Sequence, residues 1–296
     1  MYDVAILGAG PAGVTAAIYF ARFKLKTLLL SQNIGGWVNN AYIIENLPSK
    51  KGIGGSDLAK NYKEQVKNNE IDFRKETVTS LTKDEVFNIT TKKDTYNAKF
   101  VLYALGTTKK MPNVPGEGKL LGKGVHTCAT CDAPFYRDED VVVLGGNDAG
   151  AKAALLLSEY ANKIHMIEMQ ETIPMEPTWK EKVEALNNIE FHTGVSVKEF
   201  QGDEQLNKVV LTDDTELDAK GAFIEIGSDP NVSLLEDTGV ELDKFQTVDV
   251  DEAQQTSVDG LYAAGDLTNN SNNLRQIVTA QGEGAVAAQA IYRRLM

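Results

Sequence analysis

Cysteine is almost missing from this chain. Two in 296 residues cannot make a disulfide scaffold. Long apolar runs are missing too: no uncharged stretch approaches the ~18 residues that a membrane-crossing helix needs. Positive charge is in deficit, with 30 Lys and Arg against 42 Asp and Glu and a net charge of −12. That balance disfavours nucleic acid and anionic membranes as partners. The start lacks a basic segment followed by an apolar one. Met1-Tyr2-Asp3 leads straight into Val4-Ala5-Ile6-Leu7, so no secretory signal is expected and the protein reads as cytoplasmic. Low-complexity segments are absent. What remains is ordinary for a soluble globular protein, 42% hydrophobic and 24% charged. At roughly 100–200 residues per domain, its length suggests about two domains.

An internal echo organises the chain. Residues 4–13 read Val-Ala-Ile-Leu-Gly-Ala-Gly-Pro-Ala-Gly, and residues 141–150 read Val-Val-Val-Leu-Gly-Gly-Asn-Asp-Ala-Gly. Each is a β-branched run, a glycine turn and an alanine-rich helical segment, followed by a return strand at Thr27–Leu30 or Ile164–Ile167. Two βαβ units imply two nucleotide-binding-type folds. Val78–Leu81, Val86–Thr90 and Lys99–Ala104 alternate like strands, as do Val195–Phe200, Lys208–Leu211 and Gly221–Ile226; these predict a β-meander added to each unit. The expected class is α/β, with two Rossmann-like, three-layer ββα dinucleotide-binding domains. The second, 113–239, is inserted into the first, 1–112 and 240–296. A closing helix is expected from about Arg275 to Arg294.

Gly8-Ala9-Gly10-Pro11-Ala12-Gly13 fits G-x-G-x-x-G between a strand and a helix. The first glycine makes the turn, the second lets backbone approach a pyrophosphate, and the third lets helix and strand pack closely. The second copy is damaged. Asn147 stands in register with Gly10, so a side chain occupies the approach route, although asparagine tolerates positive φ and the turn could survive. The return strand runs on into Glu168, which would repel a 2′-phosphate. Two readings stay open: Glu168 bonds a ribose 2′-hydroxyl and favours NADH, or the fold is a relic that binds no nicotinamide. Two defects pointing the same way favour the relic.

Cys128-Ala129-Thr130-Cys131-Asp132 lies between the two units. Zinc would need two further ligands, and no second CxxC exists. A purely structural disulfide across so small a loop gains little. A redox dithiol fits better: one thiolate attacks, the other resolves, and Asp132 moves a proton.

On these residues the chain resembles the low-molecular-weight thioredoxin reductases, class II of the FAD-dependent pyridine nucleotide-disulfide oxidoreductases. The matching segments are Gly8–Gly13, Gly35-Gly36, Glu45-Asn46-Leu47-Pro48, Ala104-Leu105-Gly106-Thr107-Thr108, Cys128–Asp132, Ala263-Ala264-Gly265-Asp266 and Arg275-Gln276. The resemblance implies a homodimer that reduces thioredoxin. It implies FAD on the discontinuous domain, held by Gly8, Gly10, Pro11, Ala12 and Gly13 with Gly35, Gly36, Trp37 and Gly106. It also implies Gly265 and Asp266 at the ribityl chain, Arg275, Gln276 and Ile277 near the flavin ring, Asn46 at its edge, and Val78 touching adenine through backbone. The departures matter as well. Family members that use NADPH keep the second glycine motif and an arginine cluster after the return strand, where this chain has Asn147 and Glu168-Met169-Gln170. Trp37 replaces a usual glutamine. These losses are similar to the ferredoxin-dependent flavin thioredoxin reductases, so ferredoxin is the expected electron donor in place of NADPH. The alternatives are an NAD(P)H-driven reductase with an atypical site, a protein with a second flavin in the middle domain, and a flavin redox sensor that does not turn over. Lys50-Lys51 and Lys109-Lys110 are candidate docking patches for acidic partners, with ordinary solvated lysines as the plainer reading.

Overall fold

A computed structural model describes residues 1–41, 43–50 and 52–296, the side chain of Asn273 excepted. The chain divides into two compact units, Met1–Thr108 with Asp229–Met296, and Lys109–Ser228.

In chain order the elements begin with β1 (Tyr2–Ala9), α1 (Pro11–Arg22), β2 (Thr27–Ile34), α2 (Gly55–Asn68) and β3 (Asp72–Arg74). β4 (Val78–Lys83), β5 (Phe87–Thr91), β6 (Thr95–Tyr103) and β7 (Thr107–Lys109) follow. Then come α3 (Glu117–Leu120), β8 (Val125–His126), α4 (Ala129–Asp132), β9 (Asp140–Leu144), α5 (Asp148–Leu157), β10 (Lys163–Glu168), α6 (Pro177–Glu184) and β11 (Ile189–Thr193). The last are β12 (Val197–Gln201), β13 (Lys208–Leu211), β14 (Glu216–Asp218), β15 (Gly221–Ile224), β16 (Ser228–Pro230), β17 (Leu261–Ala263) and α7 (Ile277–Leu295).

In the first unit the sheet runs β3-β2-β1-β6-β5-β4, with β17 also on β6. β1 pairs in parallel with β2 and β6, whereas β4, β5 and β6 form an antiparallel meander. Alternation divides the core between the two faces. Val4, Ile6 and Leu29 pack on Ala16, Ala17, Phe20, Ala287 and Ile291 of the helices. Ala5, Leu7, Leu28 and Leu30 meet Leu81, Phe87 and Ile89 of the meander. The second unit repeats the plan. Its parallel sheet runs β11-β10-β9-β15-β8 and a separate meander runs β12-β13-β14. Val141, Val143 and Met166 face Ala151, Leu157 and Trp179, while Val142, Leu144 and Ile167 face Phe200, Val209 and Leu217.

Three details differ from the reading of the sequence. The segment 221–226, grouped there with the second meander, carries a central parallel strand, and 99–104 covers the end of the third meander strand, β6, that also pairs in parallel with β1 and β17. Their runs, Phe100-Val101-Leu102-Tyr103 and Gly221-Ala222-Phe223-Ile224, are buried on both faces, as parallel strands usually are. The third strand of the second meander is instead Glu216–Asp218, too short and polar to signal itself. The chain re-enters the first unit at Asp229, not after residue 239, because the stretch Ser233–Thr238 packs Leu235 into the core beside Val248 and Leu261. Among the described residues no helix is long and apolar enough to cross a membrane.

Candidate functional site

The first glycine turn is shaped by close backbone approaches. A Cβ on Gly8 (φ +106°) would lie 2.2 Å from the Ala104 carbonyl oxygen at the end of β6, and one on Gly13 would lie 1.9 Å from the Gly8 carbonyl oxygen. Only glycine permits this packing. Gly10 is different: a Cβ there would meet nothing within 4 Å. The space above it is open, as a pyrophosphate would require. α1 begins at Pro11 with no side-chain cap, so the N–H groups of Ala12 and Gly13 point out of the first turn without intrahelical acceptors. Together with the helix dipole they make an anion cradle. Gly35 (φ +110°) donates its N–H to the Ala9 carbonyl at 2.7 Å. A Cβ on Gly36 would come within 3.3 Å of Gly10 Cα, so these glycines border the same cradle. This part of the site fits a dinucleotide diphosphate.

The C-terminal motif closes over the same turn. Gly265 (φ +92°) brings the loop after β17 against Ala12. Beside it, Asp266 has its carboxyl pushed up to about 6, first by burial and then by the charge of Glu283, with Arg275 opposing. Glu283 was not singled out from the sequence, yet it organises this loop. Its buried carboxylate accepts from the Gly265 N–H at 2.7 Å and from the hydroxyls of Ser271 at 2.6 Å and Thr268 at 3.4 Å. The signal was available, since Ala280, Glu283, Gly284, Ala287 and Ile291 form one buried face of α7 at helical spacing. Asn46 donates its amide to the Gln276 side chain at 2.8 Å, tying two expected flavin-edge residues together. Asn46 also lines an open hollow of about 600 Å³ with Glu45, Leu47, Pro48 and Ser49. Trp37 donates its indole N–H to the Thr107 carbonyl at 2.8 Å. Gly106 takes positive φ with open space where a Cβ would stand. Ile277 opens α7 behind the Gln276–Thr279 capping box. Val78 opens β4, with its side chain in the meander-side core.

In the second unit Cys128 and Cys131 form a disulfide. Cys128 is the N-cap of the single turn α4, and the N–H groups of Cys131 and Asp132 reach back to its carbonyl. Cys131 is exposed and Cys128 partly buried. His126, two residues before the pair, is tied to Asp132: its Nδ1 lies 2.9 Å from an Asp132 carboxylate oxygen. Its Nε2 lies 2.5 Å from the Tyr136 hydroxyl. The neutral ring satisfies both contacts if Nδ1–H donates to Asp132 and Nε2 accepts from Tyr136. Burial and the Asp132 charge push the Tyr136 phenol up to about 12, so it keeps its proton. Phe223 stacks on the imidazole, and Gly221 leaves room for the Tyr136 ring. The sequence marked Asp132 but not the His126–Tyr136 support beneath it.

The second glycine turn keeps the backbone of the first. A Cβ on Gly145 would meet the Glu225 carbonyl at 2.3 Å, and one on Gly150 the Gly145 carbonyl at 1.9 Å. Asn147 does not use positive φ; it is extended, at φ −86°. Its side-chain oxygen accepts from the N–H groups of Ala149 at 2.9 Å and Gly150 at 3.2 Å. Its amide nitrogen donates to the Glu225 carbonyl at 2.6 Å. The donors that would hold a phosphate are therefore used by the chain's own asparagine. Glu168 is buried and equally engaged, accepting from Gly146 N–H at 2.8 Å and Gln170 N–H at 2.9 Å. At both positions the side chain is engaged by the chain's own N–H groups.

The docking lysines divide. Lys109 is not a surface cation: it pairs with the buried Glu225 at 2.8 Å and donates to the carbonyls of Thr127 and Ile224. Burial raises the Glu225 carboxyl despite Lys109. Lys50 and Lys110 are exposed, and Lys51 lies outside the described residues.

Comparison with known proteins agrees with this geometry. The family model for pyridine nucleotide-disulphide oxidoreductases matches residues 2–284. A thioredoxin reductase of Mycolicibacterium smegmatis is 36% identical over 297 residues, covering 97% of this chain and 94% of its own. The thioredoxin reductase structure from Lactococcus lactis superposes with a TM-score of 0.95 at 31% identity, over 99% of this chain and 98% of that one. A ferredoxin-flavin thioredoxin reductase from Clostridium acetobutylicum gives a TM-score of 0.55 at 32% identity, over 99% of this chain and 98% of that one. The chain thus belongs to the pyridine nucleotide-disulphide oxidoreductase family, as a thioredoxin reductase-type flavoprotein disulfide reductase.

Proposed function

We propose that this protein reduces the disulfide of thioredoxin with electrons from a one-electron donor protein, such as reduced ferredoxin, and not from NADPH or NADH. The observation that carries the choice of donor is the self-capped turn at Asn147, whose side chain takes the two N–H groups a nicotinamide dinucleotide would use. The engaged carboxylate of Glu168 supports the same choice, and a ferredoxin-flavin relative of matching length is consistent with it.

In this reading FAD binds the first unit, through Gly8, Gly10, Pro11, Ala12 and Gly13, bordered by Gly35, Gly36, Trp37 and Gly106. Gly265 and Asp266 hold its ribityl region, Arg275, Gln276, Ile277 and Asn46 flank its ring, and Val78 meets its adenine. When bound, FAD supplies a carrier that accepts electrons singly and delivers them as a pair. The second unit keeps its dinucleotide fold without nicotinamide. Two electrons from two donor molecules, with two protons from solvent, open the Cys128–Cys131 bond. One thiolate then attacks a sulfur of thioredoxin's disulfide, which breaks as a mixed disulfide forms. The other thiolate attacks that bond, restoring Cys128–Cys131 and releasing dithiol thioredoxin. Asp132, oriented by His126, transfers the proton at the leaving sulfur. The homodimer implied by the family likeness belongs to this reading.

The test is an anaerobic titration of the flavin-loaded protein, following the flavin's visible absorption as NADPH, NADH and reduced ferredoxin are added in turn. Bleaching by ferredoxin alone, with electrons passed on to thioredoxin, is the expected result. Rapid, saturable bleaching by either nicotinamide would overturn the choice of donor while leaving the disulfide chemistry intact.

A further inference from the structure

Two of the three histidines lie away from the cysteine pair, on neighbouring strands of the second unit. β10 and β11 pair in parallel, with His165 beside Glu190 and Ile167 beside His192. Residues two apart on a strand share a face. Ile164, Met166, Ile189 and Phe191 pack toward α5 and α6, so His165, Glu190 and His192 all fall on the opposite face. There His165 Nδ1 lies 3.0 Å from His192 Nε2 and 3.6 Å from a Glu190 carboxylate oxygen. His192 Nε2 is 3.9 Å from the other Glu190 oxygen. One ligand atom from each residue can be chosen so that all three fall within 4.8 Å of one another.

We infer that His165, Glu190 and His192 form a binding site for a divalent transition-metal ion of the zinc type, bridging β10 to the edge strand β11. A tetrahedral zinc ion with bonds of about 2.0–2.2 Å sets its ligands roughly 3.3–3.6 Å apart; the two imidazole nitrogens at 3.0 Å and the Glu190 oxygen 3.6 Å from His165 lie near that spacing. Two imidazoles with one carboxylate favour zinc, copper, nickel or cobalt over magnesium or calcium. Three protein ligands leave a fourth position for water, and His192 and Glu190 border solvent. The competitor is Lys163, whose ammonium sits 2.5 Å from Glu190. Its side chain is nearly half exposed and can turn to solvent when the ion enters, so the site is of moderate affinity and strengthens when Lys163 is removed.

The experiment uses the oxidised, FAD-loaded protein, in which the Cys128–Cys131 disulfide cannot ligate. Equilibrium dialysis against zinc chloride, with bound metal measured by atomic emission, should give one zinc per chain. His192→Gln and Glu190→Gln should each weaken binding by about tenfold or more, and Lys163→Ala should tighten it. His126→Gln, altering the third histidine, should leave it unchanged. His192 and Glu190 sit on an edge strand, and a parent-like urea transition followed by far-ultraviolet circular dichroism shows that the second unit of each variant folds. Absence of stoichiometric zinc, or zinc binding that survives both His192→Gln and Glu190→Gln, would overturn the assignment. Neither outcome touches the proposed electron donor.

Discussion

The Nδ1 nitrogen of His126 lies 2.9 Å from the carboxylate of Asp132, and its Nε2 meets the hydroxyl of Tyr136. This holds the acid that follows the cysteine pair in one orientation. Asp132→Asn should lower thioredoxin reduction by about 100- to 10,000-fold, the usual range for a general acid–base group. His126→Phe should cost less, on the order of tenfold, because it removes orientation and not the proton carrier. Thioredoxin reduction by Asp132→Asn within about tenfold of the parent would place the proton elsewhere.

The three glycines of the first turn should respond differently to alanine. At Gly10 a Cβ meets no protein atom within 4 Å. Gly10→Ala should therefore leave the apoprotein's urea midpoint nearly unchanged while weakening FAD by about tenfold or more, the new methyl standing where phosphate approaches. Gly8→Ala and Gly13→Ala drive Cβ to about 2 Å from backbone oxygens. They should destabilise the apoprotein itself by several kcal/mol, on the order of the largest single-residue effects. Equal loss of stability in all three would mean that Gly10 faces packed protein.

Much of this architecture was legible in the sequence, for identifiable reasons. The glycine turns announce themselves because close backbone approach forces glycine at Gly8, Gly13, Gly145 and Gly150. The doubling of the βαβ unit follows from that repetition. The supports were harder to read. Glu283 acts on Gly265 from 18 residues away, and Glu225 meets Lys109 from across the second unit. Such pairs leave no local spacing. His126 lay close to the motif in sequence, but its bonds to Asp132 and Tyr136 depend on the turn of α4 and on the gap left by Gly221. Asn147 was legible as a defect. That it caps its own helix became visible only from its rotamer, since an asparagine there could equally have turned outward.

Asp266 carries a stability cost that its proposed place beside the flavin explains. Burial raises its carboxyl from 3.8 to about 6. Because the folded state favours the protonated form, the favourable contribution is complete below about pH 4 and is lost as pH rises through about 6. Two units correspond to about 2–3 kcal/mol. Asp266→Asn should stabilise the FAD-free protein at pH 8 by a large part of that amount, with the gain shrinking toward pH 4. The same variant should retain FAD less well. Urea denaturation of both apoproteins at the two pH values checks the sign, and a variant less stable at pH 8 would show that Asp266 is satisfied when ionised.

Asn147 connects helix capping with the choice of electron donor. Its side chain accepts from Ala149 and Gly150, filling the start of α5. Asn147→Ala removes the cap and leaves those N–H groups to solvent, at a cost of about 0.5–2 kcal/mol. Asn147→Gly should cost only a few tenths of a kcal/mol, since glycine is tolerated at this position and water reaches the freed donors. It also recreates at α5 the open cradle seen at Gly10. The glycine variant should therefore bind NADH about tenfold or more tightly than the parent, with NADPH weaker because the Glu168 carboxylate opposes a 2′-phosphate. Nucleotide titration and urea denaturation of the two variants separate the effects. If the parent protein binds NADH as well as Asn147→Gly does, the cap does not block the site, and a nicotinamide donor regains its place in the reaction.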